Sequence, residues 1–230
     1  MILSHKYRFI FIKTNKTAGT SIEIALSKFC GETDILSPNE PEDEILRRDI
    51  GGRAPQHYLS PLKDYRLIDI YRYIARRRKK HRFYHHMPAA EIKDLVGDDI
   101  WNSYYKFCVE RNPWDRVISF YYWRLKKNPG QTISEFIDSG MPQVLHQNGY
   151  GLYTIDGVIS VDRVCLYENL EQELEAVRNR LNLPEKLALP KAKASRRLDK
   201  RNYRDIFGPE DRDKIEKMFS REIELFGYSF

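Results

Sequence analysis

A short polar loop, Asn15-Lys16-Thr17-Ala18-Gly19-Thr20-Ser21, follows the apolar run YRFIFI (7–12) and precedes a stretch with Ile22, Ala25, Leu26 and Phe29 at helical spacing. A loop feeding from a strand into a helix N-terminus presents unpaired backbone N–H groups and the positive end of the helix dipole, and both attract phosphate. Lys16 adds a full charge, Thr17, Thr20 and Ser21 add hydroxyl donors, and Ala18-Gly19 keep the backbone bare enough for close approach. The order differs from the ATP and GTP loop G-x-x-x-x-G-K-[ST]: the lysine precedes the glycine and no first glycine opens the loop.

A second group with the means to hold an anion lies in RNPWDRVISFYYW (111–123). Arg111 can fork onto a phosphate, and Ser119 can supply an uncharged donor. Asn112 and Pro113 suit the N-cap and first position of a helix whose residues Trp114, Val117, Ile118, Tyr121, Tyr122 and Leu125 form one apolar stripe. Arg116 and Ser119 lie off that stripe, which predicts that both are free to meet a ligand or water. Between the two groups stand His85 and His86, in RFYHHMPAAE, just before a helix opened by Pro88. An imidazole near its ordinary pKa takes up a proton well at neutral pH, so these are candidate bases. Of the other histidines, His57 in GGRAPQHY is a candidate for lining an acceptor site.

The elements that must position these residues alternate between strand and helix. YRFIFI and YYKFCVE (104–110) read as buried strands, and helices are predicted over 62–80, 88–97 and 170–182 and from Pro209 onward. Asp156-Gly157 between apolar runs predicts a hairpin. The alternation points to an α/β fold with a central parallel sheet flanked by helices. A length of 230 residues suits a single domain, 1–230, with a long surface excursion at about 32–82 that starts rich in Pro, Gly and polar residues.

With 41% hydrophobic and 31% charged residues the chain is too apolar for wholesale disorder. No apolar run approaches the roughly 20 residues that span a bilayer, and the N-terminal residues lack the pattern of a secretory leader, so the expectation is a cytoplasmic protein. Cys30, Cys108 and Cys165 are widely spaced in apolar surroundings, which predicts buried free thiols. The net charge of +6 suits an anionic ligand and is unevenly spread, with NEPEDE (39–44) acidic and ARRRKKHR (75–82) strongly basic.

Lys16 to Ser21 resembles the 5′-phosphosulfate loop of sulfotransferases that use 3′-phosphoadenosine 5′-phosphosulfate (PAPS). The carbohydrate branch of that family reads P-K-T-G-G-T-S, so Asn15 and Ala18 are departures. Arg111 and Ser119 are similar to the family's 3′-phosphate motif, YENL (167–170) to its Y-E-D/N-L segment, and REIELFGYSF to the closing helix of its bacterial carbohydrate-type members. The resemblance implies a P-loop-like three-layer fold and a cofactor site made of Lys16, Thr17, Ala18, Gly19, Thr20, Ser21, Arg111, Ser119 and Tyr167, the last toward the adenine. It also implies that Arg196 and Arg197, in the basic loop KAKASRRLDK, fold over the 3′-phosphate. In the implied chemistry Lys16 stabilises the departing 5′-phosphate and His86 is the catalytic base, with His85 in reserve. No metal takes part, and the acceptor is a hydroxyl, on a carbohydrate or glycoconjugate. No motif in 32–82 identifies that acceptor.

Two other readings remain at this point. A P-loop nucleotide kinase would need a magnesium-binding carboxylate at the end of a second strand, where this chain has Glu110-Arg111-Asn112. A nucleic-acid binder could use ARRRKKHRFYHH, in which basic residues meet aromatic ones, although no recognised nucleic-acid motif accompanies it. The same basic surface also suits an acidic polysaccharide.

Overall fold

Phe9 and Phe11 point to one face of a sheet and Ile10 and Ile12 to the other, and Phe107 and Val109 alternate with Cys108 in the same way. The apolar runs are thus strands buried on both faces, as a sheet covered by helices on each side requires. The computed structural model describes residues 1–125, 129–190 and 201–230. Its main sheet contains β1 (Ile2–Ser4), β2 (Phe9–Phe11), β3 (Ile35–Leu36), β4 (Tyr105–Glu110) and β7 (Arg163–Leu166), in the order β3-β1-β2-β4-β7. Between β4 and β7 in sequence, β5 (Thr154–Ile155) and β6 (Val158–Ile159) form the expected hairpin, with Asp156 and Gly157 at φ 51° and 75°.

The sheet is mixed, not wholly parallel as expected. β2, β4 and β7 are parallel, but β1 runs antiparallel to both β2 and β3. Its apolar run is only three residues long, too short for periodicity to reveal, and a tight turn with Arg8 at φ 53° folds it back on β2.

One face of the sheet is covered by α1 (Gly19–Ser27) and α10 (Leu170–Leu181), through Ile22, Leu26, Leu174 and Val177. The other is covered by α4 (Ala89–Val96), α5 (Asp98–Ser103) and α9 (Tyr150–Tyr153), through Ala89, Ile92, Trp101 and Leu152. A third cluster joins α6 (Pro113–Leu125), α7 (Ile133–Asp138) and α11 (Pro209–Met218) by way of Trp114, Val117, Phe120, Phe136 and Ile215. α8 (Gln143–Gln147) leads into α9, and α12 (Ser220–Phe226) closes the chain. Asn112 caps α6 as expected, its Oδ1 accepting from the Trp114 N–H at 3.1 Å. Cys30, Cys108 and Cys165 are buried free thiols.

The excursion at 32–82 contains more structure than its composition predicts. Besides β3 it holds α2 (Pro41–Asp49), packed on α1, and α3 (Leu67–Arg76). The helix expected over 62–80 is therefore shorter, and Arg77 in a left-handed conformation ends it.

Candidate active site

The three parallel strands deliver the sequence-predicted residues to one edge of the sheet. β2 runs into Lys13 and the loop, β4 into Glu110 and Arg111, and β7 into Tyr167. The C-terminal rim of adjacent parallel strands is where open α/β sheets bind ligands.

The loop is tightly pinned. Asn15 N–H donates to the Asn148 carbonyl at 2.8 Å, and the Thr14 hydroxyl bonds both the Thr17 hydroxyl at 2.8 Å and the Val109 carbonyl of β4. Thr17 is buried and its hydroxyl is committed to this internal lock. Lys16 and Ala18 sit at φ 66° and 61°, with Thr17 between them outside that region, a pattern that curls successive N–H groups toward one concavity. Ala18 caps α1 without a side-chain bond, and no acidic residue occupies the first turn. Gly19 is required by packing, because a Cβ there would lie 2.7 Å from Lys13 Cγ. The hydroxyls of Thr20 and Ser21 have no protein partner among the described residues.

Arg111 links this loop to the rest of the rim. Its Nη1 donates to the Lys16 carbonyl at 3.0 Å, its Nε and Nη2 hold Asp115 at 3.0 and 2.5 Å, and its guanidinium lies 4.1 Å from the centre of the Tyr167 ring. Three of its five N–H donors are engaged, which leaves two for a ligand. Ser119 lies on the same face of α6, one turn from Asp115 on one side and from Trp123 on the other. Asp115 binds Arg111 and Trp123 receives the Lys16 ammonium at 5.6 Å, so Ser119 stands between the two cations; its hydroxyl also lacks a described partner.

Arg116 corrects an expectation. It is 1% exposed and not free: it pairs with Glu110 at 2.6 Å and donates to the carbonyls of Asn15, Leu145 and Asn148. The chain after α8 closes over it so tightly that a Cβ on Gly149 would lie 2.3 Å from the guanidinium. Glu110 is equally buried, receives the Tyr153 hydroxyl at 2.9 Å, and has its pKa raised, by burial above all. The carboxylate ending the second strand is thus an internal strut, a poor fit to the magnesium ligand that the kinase reading needs.

His86 occupies a left-handed backbone position, φ 58°, and faces the loop from the α4 side. Its Nδ1 lies 2.8 Å from the Lys13 carbonyl. A carbonyl only accepts, so Nδ1 carries the proton and Nε2 the lone pair. The imidazole pKa is not ordinary: burial, and then the nearby Lys13 charge, push it down to about 3. His85 stacks edge-on beside it at 5.3 Å, is more exposed, and is lowered too, first by desolvation and then by Lys13. His57 is not brought to this rim. It lines a separate cleft of about 380 Å³ with His5, Thr33 and Arg82, and its Nε2 lies 2.9 Å from the Glu32 carbonyl. Arg196 and Arg197 lie outside the described residues.

Four contributors escaped sequence reading. Lys13, buried, binds Glu23 at 2.6 Å and Asn39 at 2.5 Å and hands its carbonyl to His86. Thr14 pins the loop, Trp123 shelves the Lys16 ammonium, and Glu168 accepts the Asn112 N–H at 2.7 Å, tying YENL to the start of α6. The lysine ending a buried strand was the one signal available.

No solved structure matches the chain significantly. An uncharacterized protein of Archaeoglobus fulgidus is 36% identical over 104 residues, which are 44% of this chain and 87% of that protein. A sequence model described as the sulfotransferase family matches residues 1–229, and on that match the chain belongs to the sulfotransferase family.

Proposed function

We propose that the protein moves a sulfuryl group from PAPS to a hydroxyl, with a P-loop-like anion loop at Lys16–Ser21 and a second anion site at Arg111 and Ser119. The observation that carries this reading is the Arg111 contact set: one guanidinium touches the Lys16 carbonyl and lies on the Tyr167 ring, so both anion sites and an aromatic shelf adjoin one another. That arrangement suits a nucleotide with phosphates at both ends of an adenosine. The uncapped start of α1, without acidic residues, fits its 5′ end.

The donor supplies an activated sulfuryl group whose transfer leaves negative charge on the 5′-phosphate. Lys16 and the loop N–H groups stabilise that charge, and the pinned loop holds them ready without reorganisation. Tyr167 stacks the base, and Arg111, oriented by Asp115, receives the 3′-phosphate with Ser119. His86 accepts the acceptor's proton at Nε2, its tautomer fixed by the Lys13 carbonyl. The low basicity of His86 in the free protein follows from burial beside Lys13; the anionic donor offsets that positive field and raises it. Carbohydrates and glycoconjugates are the acceptor class, a choice supported by the resemblance of the loop to P-K-T-G-G-T-S.

Calorimetric titration with adenosine 3′,5′-bisphosphate in the presence of a chelator tests the donor site. Binding there, with none for ATP and magnesium, is the expected result; absence of bisphosphate binding sinks the proposal. Labelled PAPS offered with a panel of glycans, lipids and small alcohols then identifies the acceptor.

A further inference from the structure

Helix α3 is amphipathic with its faces reversed. At 3.6 residues per turn Leu67, Ile68, Ile70, Tyr71 and Ile74 share one continuous arc, and Asp69, Arg72, Tyr73 and Arg76 take the other. The polar side is the attached one: Asp69 pairs with Lys80 at 2.9 Å, and Tyr73 packs edge-on against Tyr65, whose hydroxyl accepts the Lys80 N–H at 2.9 Å. No residue of α3 is buried, and on the apolar arc Leu67 is 87% exposed and Ile74 74%. The helix belongs to a finger, 61–80, whose narrow base is a short antiparallel pairing in which Ser60 N–H donates to the Lys80 carbonyl and Arg82 N–H to the Tyr58 carbonyl. Leu62, 67% exposed, is a further exposed aliphatic residue at the start of that finger.

An ordinary surface helix turns its apolar stripe to the core. This one offers aliphatic side chains to the outside within a strongly cationic setting: between 66 and 82, eight residues are Lys or Arg and only Asp69 is acidic. We propose that α3 and the basic run after it lay this face on an anionic lipid surface. Hydrocarbon covers Leu67, Ile70 and Ile74, the amphipathic Tyr71 sits at headgroup level, and anionic headgroups meet the cations. No described helix is long and apolar enough to cross a membrane, so the contact is interfacial. A second copy of the chain is the poorer occupant, because a symmetric contact would set two such cationic clusters against each other. A polysaccharide or nucleic acid would answer the charge and leave the aliphatic face in water. The leg leaving the finger continues through Arg82 and Phe83 to His85 and His86, so an anchored finger holds that segment near the lipid. The inference is independent of the sulfuryl-transfer reading.

Flotation of the full chain with phosphatidylcholine vesicles, with and without phosphatidylglycerol, tests it. The expected result is flotation with the anionic vesicles only, weakened by salt. Leu67→Glu with Ile74→Glu abolishes it while the thermal midpoint stays unchanged, and Arg77→Gln with Arg78→Gln lowers partition about thirty-fold. The proposal is overturned by failure to float with anionic vesicles, or by flotation that survives L67E/I74E. It is equally overturned if L67E/I74E abolishes a concentration-dependent dimer of a protein that ignores vesicles, or if RNA or heparin is bound equally by both proteins and vesicles by neither.

Discussion

The rim where β2, β4 and β7 end and the finger at 61–80 are both rich in cations and treat them in opposite ways. At the rim Lys13 is held by Glu23 and Asn39, Arg111 by Asp115 and a carbonyl, and Arg116 by Glu110 and three carbonyls. In the finger, Arg72 and Arg76 through Lys79 are exposed. Charge fixed in a dry, pinned frame favours one ligand in one geometry, because the donors need not reorganise when it binds. Charge on long exposed side chains keeps its freedom and suits a surface whose own charges have no fixed places.

The strongest way to break this contrast is to remove one arginine from each region. Arg116→Met leaves the Glu110 carboxylate buried without its partner, so stability should fall by about 3–5 kcal/mol in chemical denaturation. Arg77→Met should change it by less than about 0.5 kcal/mol. The sign with pH sharpens the test. The Glu110 pKa is already raised by burial and rises further without Arg116, so the loss in Arg116→Met is largest at neutral pH and shrinks as acid protonates the carboxyl. Equal losses from the two arginines would show that the rim is no more preorganised than the finger.

Next in size is Lys16→Ala. If Lys16 meets charge that develops only during transfer, kcat should fall about 10²–10³-fold, while affinity for adenosine 3′,5′-bisphosphate changes far less. Labelled-donor kinetics beside calorimetry separates the two. A parallel loss in both would make Lys16 an anchor alone.

The third test concerns the base. If His86 is the base, its pKa of about 3 in the free protein should keep kcat/KM level from neutral pH down to about pH 4, where an ordinary histidine would already be protonated. With the donor bound, the acid limb of kcat should move to higher pH, because the donor's negative charge favours the imidazolium. His86→Ala should remove most turnover and leave bisphosphate binding intact. The same lowered pKa has a stability consequence: the unfolded chain binds this proton from about pH 6.5 downward and the folded one does not, so stability falls as pH drops through that range.

Much of the rim was legible because its signals are local. Lys16 to Ser21, Asn112-Pro113 and Asp156-Gly157 each declare a loop, a cap or a turn within a few residues, and the strands beside them show their burial as aromatic and β-branched runs. What stayed hidden depends on distant chain. Arg116 is off the apolar stripe of α6, which says nothing of Leu145 and Asn148 folding over it from about thirty residues away. The depressed His86 pKa comes from burial first and then from Lys13, which arrives at the end of β2. For α3 the sequence predicted a helix, over a longer span than the one observed, and its apolar face could not say what covers it.

Ala18→Gly is the smallest test and the one most specific to the loop. The P-K-T-G-G-T-S pattern that this loop resembles has glycine at the position of Ala18, and that position adopts φ 61°, which costs an L-residue about 1–2 kcal/mol. Glycine removes that strain but frees the unfolded chain by about 0.4–1 kcal/mol, so the net gain should lie between about 0 and 1.6 kcal/mol in denaturant titration. The ligand effect is the sharper reading. If the loop is as firmly pinned as its bonds to Val109, Asn148 and Arg116 indicate, glycine leaves the anion site in place and bisphosphate affinity is unchanged. A marked loss of affinity with unchanged stability would mean that Ala18 itself, by restricting the backbone, holds the N–H groups in position. The loop would then owe its order to local stiffness and less to the rim around it.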